Sequence, residues 1–166
     1  MKQTHANTQT ITAQVVNAFV TGNVGGNPAA VVLDADNLSD ADMLRIAAKV
    51  GLSETAFVSK SKTQAFKLDF FTPNRRIAHC GHATIATFSY LAELGRVSEG
   101  ETSKETVDGP RKIVIKNGAA YMEQLGPSYR IPSDWAGDGV IAADVLKSLG
   151  IKEHDLAQNV SPVLVN

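Results

Sequence analysis

Cysteine is almost absent: Cys80 stands alone among 166 residues. It has no partner within the chain, so a disulfide scaffold is excluded and a reducing compartment, the cytoplasm, is the expected setting. An excess of either charge is missing too, because Lys+Arg 16 against Asp+Glu 17 leaves a net charge of −1. Without a basic field to hold a phosphate backbone, no nucleic-acid partner is expected. No apolar run approaches the ~18 residues that a membrane span needs. The opening stretch MKQTHANTQT has no signal-peptide core. No membrane is expected among the partners. Neither G-x-G-x-x-G nor a P-loop occurs, so nothing supports a nucleotide cofactor, and there is no repeat of solenoid or propeller spacing. What is present is a composition 43% apolar and 20% charged, enough for one core in a chain of single-domain length. Residues 1–9 read as a disordered tail and residues 10–166 as one domain.

Local patterns give the elements. Ile11 to Val20 is dense in β-branched residues and reads as a strand. Thr21 to Pro28 holds three glycines and reads as a long turn, followed by a short buried strand over Ala29 to Leu33. Ser39 is an N-cap for a helix whose Met43, Ala47 and Val50 share a face, with Gly51 as its left-handed stop. Leu52 to Ser59 reads as a strand. Phe66, Leu68 and Phe70 alternate with Lys67, Asp69 and Phe71, which predicts a strand with one polar face that ends at Thr72-Pro73-Asn74. From Gly81 to Leu94 the only formal charge is Glu93, and a helix apolar on nearly every side is expected to be buried on every side. Asp108-Gly109 and Asn117-Gly118 punctuate three strand-like pieces, among them Lys112–Lys116 and Ala119–Gln124. A helix over Val140 to Leu149 stops at Gly150, and Pro162 to Asn166 reads as a last strand. The sum is an α+β domain, a mixed, curved sheet wrapped around one buried central helix, with outer helices.

The start of that buried helix, His79-Cys80-Gly81-His82-Ala83-Thr84, concentrates chemistry. A helix N-terminus offers unpaired amides and a positive dipole end that suit a carboxylate. Gly81 lets a ligand approach the backbone, and His82 can hydrogen-bond a substrate oxygen or pass a proton. Cys80, just before the helix, is expected to have its thiolate favoured by the same dipole. The plainer readings stand beside these: buried cysteines are usually inert, and a lone histidine at a helix start is commonly structural. Three ligands within His79–His82 is poor metal spacing, so no metal is expected. Glu54 lies where a polar turn becomes an apolar strand, where partial burial would raise a carboxyl pKa as a general acid/base requires; a solvated strand-start charge is the alternative. Asn27-Pro28 is either a rigid turn or a ligand contact.

In order, G-N-P-A-A-V-V-L (Gly26–Leu33), L-S-E-T-A-F-V (Leu52–Val58), F-T-P (Phe71–Pro73) and C-G-H-A-T (Cys80–Thr84) resemble the PhzF-like phenazine-biosynthesis family, which has the diaminopimelate-epimerase fold. The resemblance runs from about Val15 to Leu94 and more loosely to Ile151. It implies an isomerase that moves a proton on a small anionic, carboxylate-bearing substrate with no metal or organic cofactor. The family's named member acts on trans-2,3-dihydro-3-hydroxyanthranilate. By motif, the resemblance implies Glu54 as acid/base with His82 beside it, and Gly81, Cys80, Ala83 and Asn27 as substrate-binding residues.

The C-G-H-x-T string is also similar to cofactor-independent proline racemases, in which that cysteine is one of two bases. A two-thiol mechanism needs a second cysteine, so Glu54 is the favoured base and Cys80 a site-lining residue. A thiol-dependent racemase or epimerase using Cys80, and a non-catalytic binding or assembly module, remain the alternatives. Family members are about twice as long, with two similar halves and the site between them. The D-x-A-T-G-S-A signature of the second half does not occur here. The chain resembles the N-terminal half alone, and a second-half domain or a homodimer partner is expected to complete its site.

Overall fold

The structure is a computed structural model that describes residues 10–22, 24–158 and 160–165. The tail expected over residues 1–9 lies outside the described residues. The chain divides into two compact units, Met1–Glu123 and Gln124–Asn166, so the domain expected over residues 10–166 spans both.

The first unit carries strands β1 (Gln14–Thr21), β2 (Val24–Val32), β3 (Thr55–Ser59), β4 (Phe66–Phe71), β5 (Arg76–Ile77), β6 (Gly100–Thr106), β7 (Gly109–Lys116) and β8 (Ala119–Met122). Its helices are α1 (Asp40–Val50) and α2 (Gly81–Glu93). The sheet runs β1-β2-β3-β4-β6-β7-β8, with β5 paired to β4. It is mixed, because β2–β3 and β4–β6 are parallel and the other pairs antiparallel.

Helix α2 packs against β1, β2 and β3 and also against β7 and β8. Laid flat, strands about 4.8 Å apart would hold β1 and β8 roughly 29 Å from one another, more than twice the width of a helix. One helix reaches both ends only if the sheet curls around it. The helix fills that curl with Ala83, Ala86, Phe88 and Leu91, against Val31, Ala56, Val58, Leu68, Phe70, Ile113 and Ile115.

The outer face of β2–β4 carries a second cluster, Val32, Phe57 and Phe71 against Met43 and Ala47 of α1. Strands covered on both faces read as continuous apolar runs, which is why Ala29 to Val32 shows no alternation. Ser39 caps α1 with a reciprocal Ser39–Asp42 capping box, and Gly51 ends it at φ 74°. Asn117 and Gly118 turn the β7–β8 hairpin with φ of 52° and 74°, the left-handed pair that such a hairpin needs.

Two expectations are corrected. The segment Thr21 to Pro28 is strand for most of its length, with Thr21 facing Val24, Val20 facing Gly25 and Ala18 facing Asn27. Its glycines serve a distorted ladder: Gly26 has φ 95°, and a Cβ there would lie 2.7 Å from Val20 Cγ1 and 3.0 Å from the Ala18 carbonyl oxygen. Pro28 is tolerated because pairing with β3 begins only at Ala30. The expected polar face of β4 is also buried at Asp69 and Phe71, on the side that α1 packs against, while Lys67 stays half-exposed. Asp69, 2% exposed, is held there by Lys67 at 3.0 Å and by Arg76, which reaches on to Asp40 in the first turn of α1.

The second unit holds β9 (Tyr129–Arg130), α3 (Pro132–Trp135), α4 (Ala142–Ser148) and β10 (Leu164–Val165), with β9 and β10 antiparallel. Gly150 follows α4 at φ 69°, as expected of its stop. Trp135 and Leu146 are its buried apolar side chains. No helix among the described residues is long and apolar enough to cross a membrane.

Gly26→Ala is expected to lower the unfolding free energy in urea by about 3 kcal/mol, since strain and a clash combine. Gly118→Ala, where a Cβ meets open space, is expected to lower it by about 1 kcal/mol. Equal losses would contradict the close approach at Gly26.

Candidate active site

Helix α2 begins at the rim of the curl. Cys80 is its N-cap in extended backbone, and no side chain caps the first amides. The Thr84 hydroxyl donates back to the Cys80 carbonyl at 2.6 Å, and Lys104 Nζ from β6 donates to that hydroxyl at 2.7 Å. Lys104 is fully buried, with its ammonium 5.0 Å from the centre of the Phe70 ring. Burial, with the Arg111 charge second, brings its pKa down to about 8, against the pull of Cys80 and Asp108.

Glu54 arrives from another part of the chain. It immediately precedes β3, and its carbonyl accepts the amide of Ala30 on β2 at 3.1 Å. Its carboxylate Oε2 lies 3.3 Å from His82 Nε2. The other ring nitrogen, Nδ1, lies 3.5 Å from Cys80 Sγ. The three side chains therefore stand in a row with the imidazole in the middle, Glu54 at 20% exposure, His82 at 12% and Cys80 at 8%. The Glu54–His82 approach has the distance of an ion pair but not the direction of a hydrogen bond, which leaves Nε2 buried without a hydrogen-bond partner.

The thiol is not activated as expected. Burial pushes the Cys80 thiol up and the Glu54 charge adds to this, while the Ala83 and His82 amides and Lys104 pull the other way. Desolvation of the sulfur outweighs the helix end. A protonated sulfur donates to Nδ1, which assigns the ring proton to Nε2, facing Glu54. The row then reads Cys80 S–H to imidazole, with the Glu54 carboxylate near Nε2 but out of line for a hydrogen bond.

The remaining candidates fall around this row. A Cβ on Gly81 would meet nothing nearer than Met122 Cε at 4.0 Å, so protein packing does not demand the glycine. The Ala83 side chain is fully buried, which leaves its backbone amide as the group that can act. Asn27 is exposed on β2 and, among the described residues, makes no side-chain hydrogen bond to Glu54, Cys80 or His82. His79 does not join the row. Its Nδ1 is buried without a partner, and burial and the Lys104 charge hold its pKa down. The compact donor cluster is instead Glu54, Cys80 and His82, one ligand atom from each lying within 4.8 Å of the others. Sequence reasoning missed Lys104, whose strand reads polar from Gly100 to Thr106 and gives no sign of an inner face.

Comparison with known proteins places this arrangement in context. A family model described as phenazine biosynthesis-like protein (PhzC-PhzF) matches residues 16–126. An uncharacterized isomerase of Bacillus subtilis (strain 168), YfhB, is 37% identical over 147 residues, covering 86% of this chain and 48% of the relative. A crystal structure of a Bacillus anthracis phenazine biosynthesis protein of the PhzF family superposes with TM-score 0.72 at 30% identity, over 95% of this chain and 53% of that one. A predicted epimerase from Pseudomonas aeruginosa shares the fold, with TM-score 0.69 at 20% identity over 92% of this chain and 55% of that one. The chain spans about half the length of the curated relatives it matches.

Lys104 gives a pH test of this site's anchor. Its folded pKa lies below the unfolded value, so between about 8 and 10.5 the unfolded chain binds more protons and this residue's contribution to stability rises with pH. From pH 8 to pH 10, wild type is expected to gain roughly 1–2 kcal/mol of unfolding free energy relative to Lys104→Met in urea melts. A difference that stays flat or falls would refute a buried, hard-to-charge ammonium.

Proposed function

The chain belongs to the phenazine biosynthesis-like (PhzC-PhzF) family, and from that premise we propose that it is one half of an isomerase that moves a proton on a small, carboxylate-bearing substrate with no metal or organic cofactor. The observation that carries this reading is the Glu54–His82–Cys80 row beside the uncapped amides of α2. Glu54 takes a proton from a substrate carbon and returns it to another. His82 Nε2, 3.3 Å from that carboxylate, steadies its charge before the first transfer and after the last, when Glu54 is ionised. The substrate carboxylate lies against the helix end at Gly81, where the missing Cβ leaves room, with the Ala83 amide, the Cys80 side chain and Asn27 as further contacts.

Proton abstraction from carbon also needs water kept out. Glu54 and His82 remain partly open, so a second-half domain or a second copy of the chain is proposed to close the site. Val15, Phe19, Val20 and Val24 stand exposed on the β1–β2 hairpin, apolar surface of the kind a partner covers.

One observation favours a second reading, a thiol-dependent racemase or epimerase: the Cys80 sulfur lies within hydrogen-bonding distance of His82. Burial of a protonated thiol weighs against it.

On the complete assembly, Glu54→Gln is expected to lower proton exchange by about 10³-fold with folding intact, and Cys80→Ser by less than about 10-fold. The readout is deuterium incorporation from D2O into trans-2,3-dihydro-3-hydroxyanthranilate and related cyclic carboxylates. The reverse pattern would transfer the chemistry to the thiol. Turnover unaffected by Glu54→Gln would overturn the first reading.

A further inference from the structure

We propose that Glu54, Cys80 and His82 form a binding site for a thiophilic divalent cation, zinc before others, and that its binding shuts down the acid/base centre. The site is there whatever the reaction; only the inhibition rests on the reading of Glu54 as the base.

The first argument is distance. In tetrahedral zinc, Zn–S of about 2.3 Å and Zn–N of about 2.0–2.1 Å put sulfur and nitrogen about 3.5 Å apart. Cys80 Sγ and His82 Nδ1 are 3.5 Å apart before any metal arrives. The donor atoms of Glu54, Cys80 and His82, one from each, lie within 4.8 Å of one another. The Glu54 carboxylate now faces the other ring nitrogen, so it joins the metal by side-chain torsion, without movement of β3 or α2.

The second argument is donor chemistry. A thiolate with an imidazole selects zinc and its soft neighbours over magnesium or calcium, which prefer sets of oxygen alone. Three protein ligands leave a fourth position for water or a substrate oxygen, as in an accessible zinc site rather than a closed structural one. Coordination balances simply: Cys80 gives its S–H proton to solvent, the dication sheds water, and its two positive charges meet the thiolate and the carboxylate. The dication and the two anions together carry no net charge.

The third argument is rigidity. Cys80 and His82 belong to one helix start, which the Thr84 hydroxyl and the buried Lys104 tie down. Ligands held from behind in this way lose little freedom on binding metal. Lys104 is the opposing charge, and it bonds to Thr84 rather than to any of the three donors. His79, the other nearby imidazole, sits under the charges of Lys104 and Arg111 and is a poor cation ligand. The acid in the outer core, Asp69, is already claimed by Lys67 and Arg76. With metal in place, Glu54 and His82 both spend their free electron pairs on it and cannot move a substrate proton.

Cobalt(II) is the spectroscopic probe, added to the reduced chain and then displaced by zinc. One equivalent per chain is expected to raise a near-ultraviolet thiolate-to-cobalt band, which zinc abolishes. Cys80→Ser should lose the band, and His82→Asn and Glu54→Gln should each weaken binding by about 10-fold or more. His154→Asn, a change at an exposed residue of the second unit, should leave it unaltered. Zinc should raise the melting temperature of wild type but not of Cys80→Ser, which also checks that each variant folds. No band, or binding untouched by Cys80→Ser, overturns the site. The two proposals fail separately: a band in a chain whose turnover ignores Glu54→Gln removes the acid/base reading alone, and no band in a chain that needs Glu54 removes the metal site alone.

Discussion

Helix α2 has almost no polar face, and the first unit is organised by the need to enclose it. Ala83, Thr84, Ala86, Thr87, Phe88 and Leu91 are buried within one short helix. A flat sheet covers one side of such a helix, so the sheet must curl until strands from both of its ends touch it. Curling is easier where strands can be distorted, and β1–β2 supplies this with Gly25 and Gly26 in left-handed backbone, Gly25 opposite Val20 and Gly26 between the Val20–Gly25 and Ala18–Asn27 pairs. The outer face of β2–β4 is then free to take α1, which is why apolar residues crowd both sides of those strands. The enclosure is not complete, contrary to the expected burial on every side: Ile85, Ser89 and Ala92 form a half-buried stripe that begins at His82. The N-terminal end is the one that carries Cys80, Gly81 and His82.

The same enclosure sets the electrostatics. The helix end favours negative charge, yet the sulfur beside it is too deeply buried to profit, and the thiol stays protonated. Lys104 shows the complementary cost, an ammonium without a carboxylate partner that keeps only a threonine hydroxyl and the face of Phe70. Both groups are poor at holding charge in the resting protein. Of the three side chains in the row, Glu54 is the most exposed.

Features set by neighbours in sequence were legible, and features set by distant neighbours were not. The Ser39 cap, the Gly51 stop, the Asn117-Gly118 hairpin and the all-round apolar character of Gly81 to Leu94 are local signals, and each appears in the fold. Thr21 to Pro28 reads as turn because glycines dominate it, but pairing with β1 overrides that composition. Asp69 reads as a solvent-facing residue until α1 covers it. Lys104 sits in a strand with no apolar period to mark an inside, and only its register opposite Arg111 and Phe66 turns it inward. At the site, motif order pointed to Glu54, Cys80 and His82 separately. Their meeting in one row depends on α2 packing against β2 and β3.

The proposed proton transfer and the proposed metal coordination make unequal demands on the site. Proton transfer at carbon requires a base, an anchor for the substrate and exclusion of water, and the third requirement is a property of enclosure that a rim open on one side does not meet. Metal coordination requires only donors of suitable chemistry at suitable separation, and a site open at the fourth position meets that as it stands. Glu54, Cys80 and His82 all lie within the first unit, so the proposed metal site draws its donors from that unit alone, while the proposed proton transfer needs a closing wall as well.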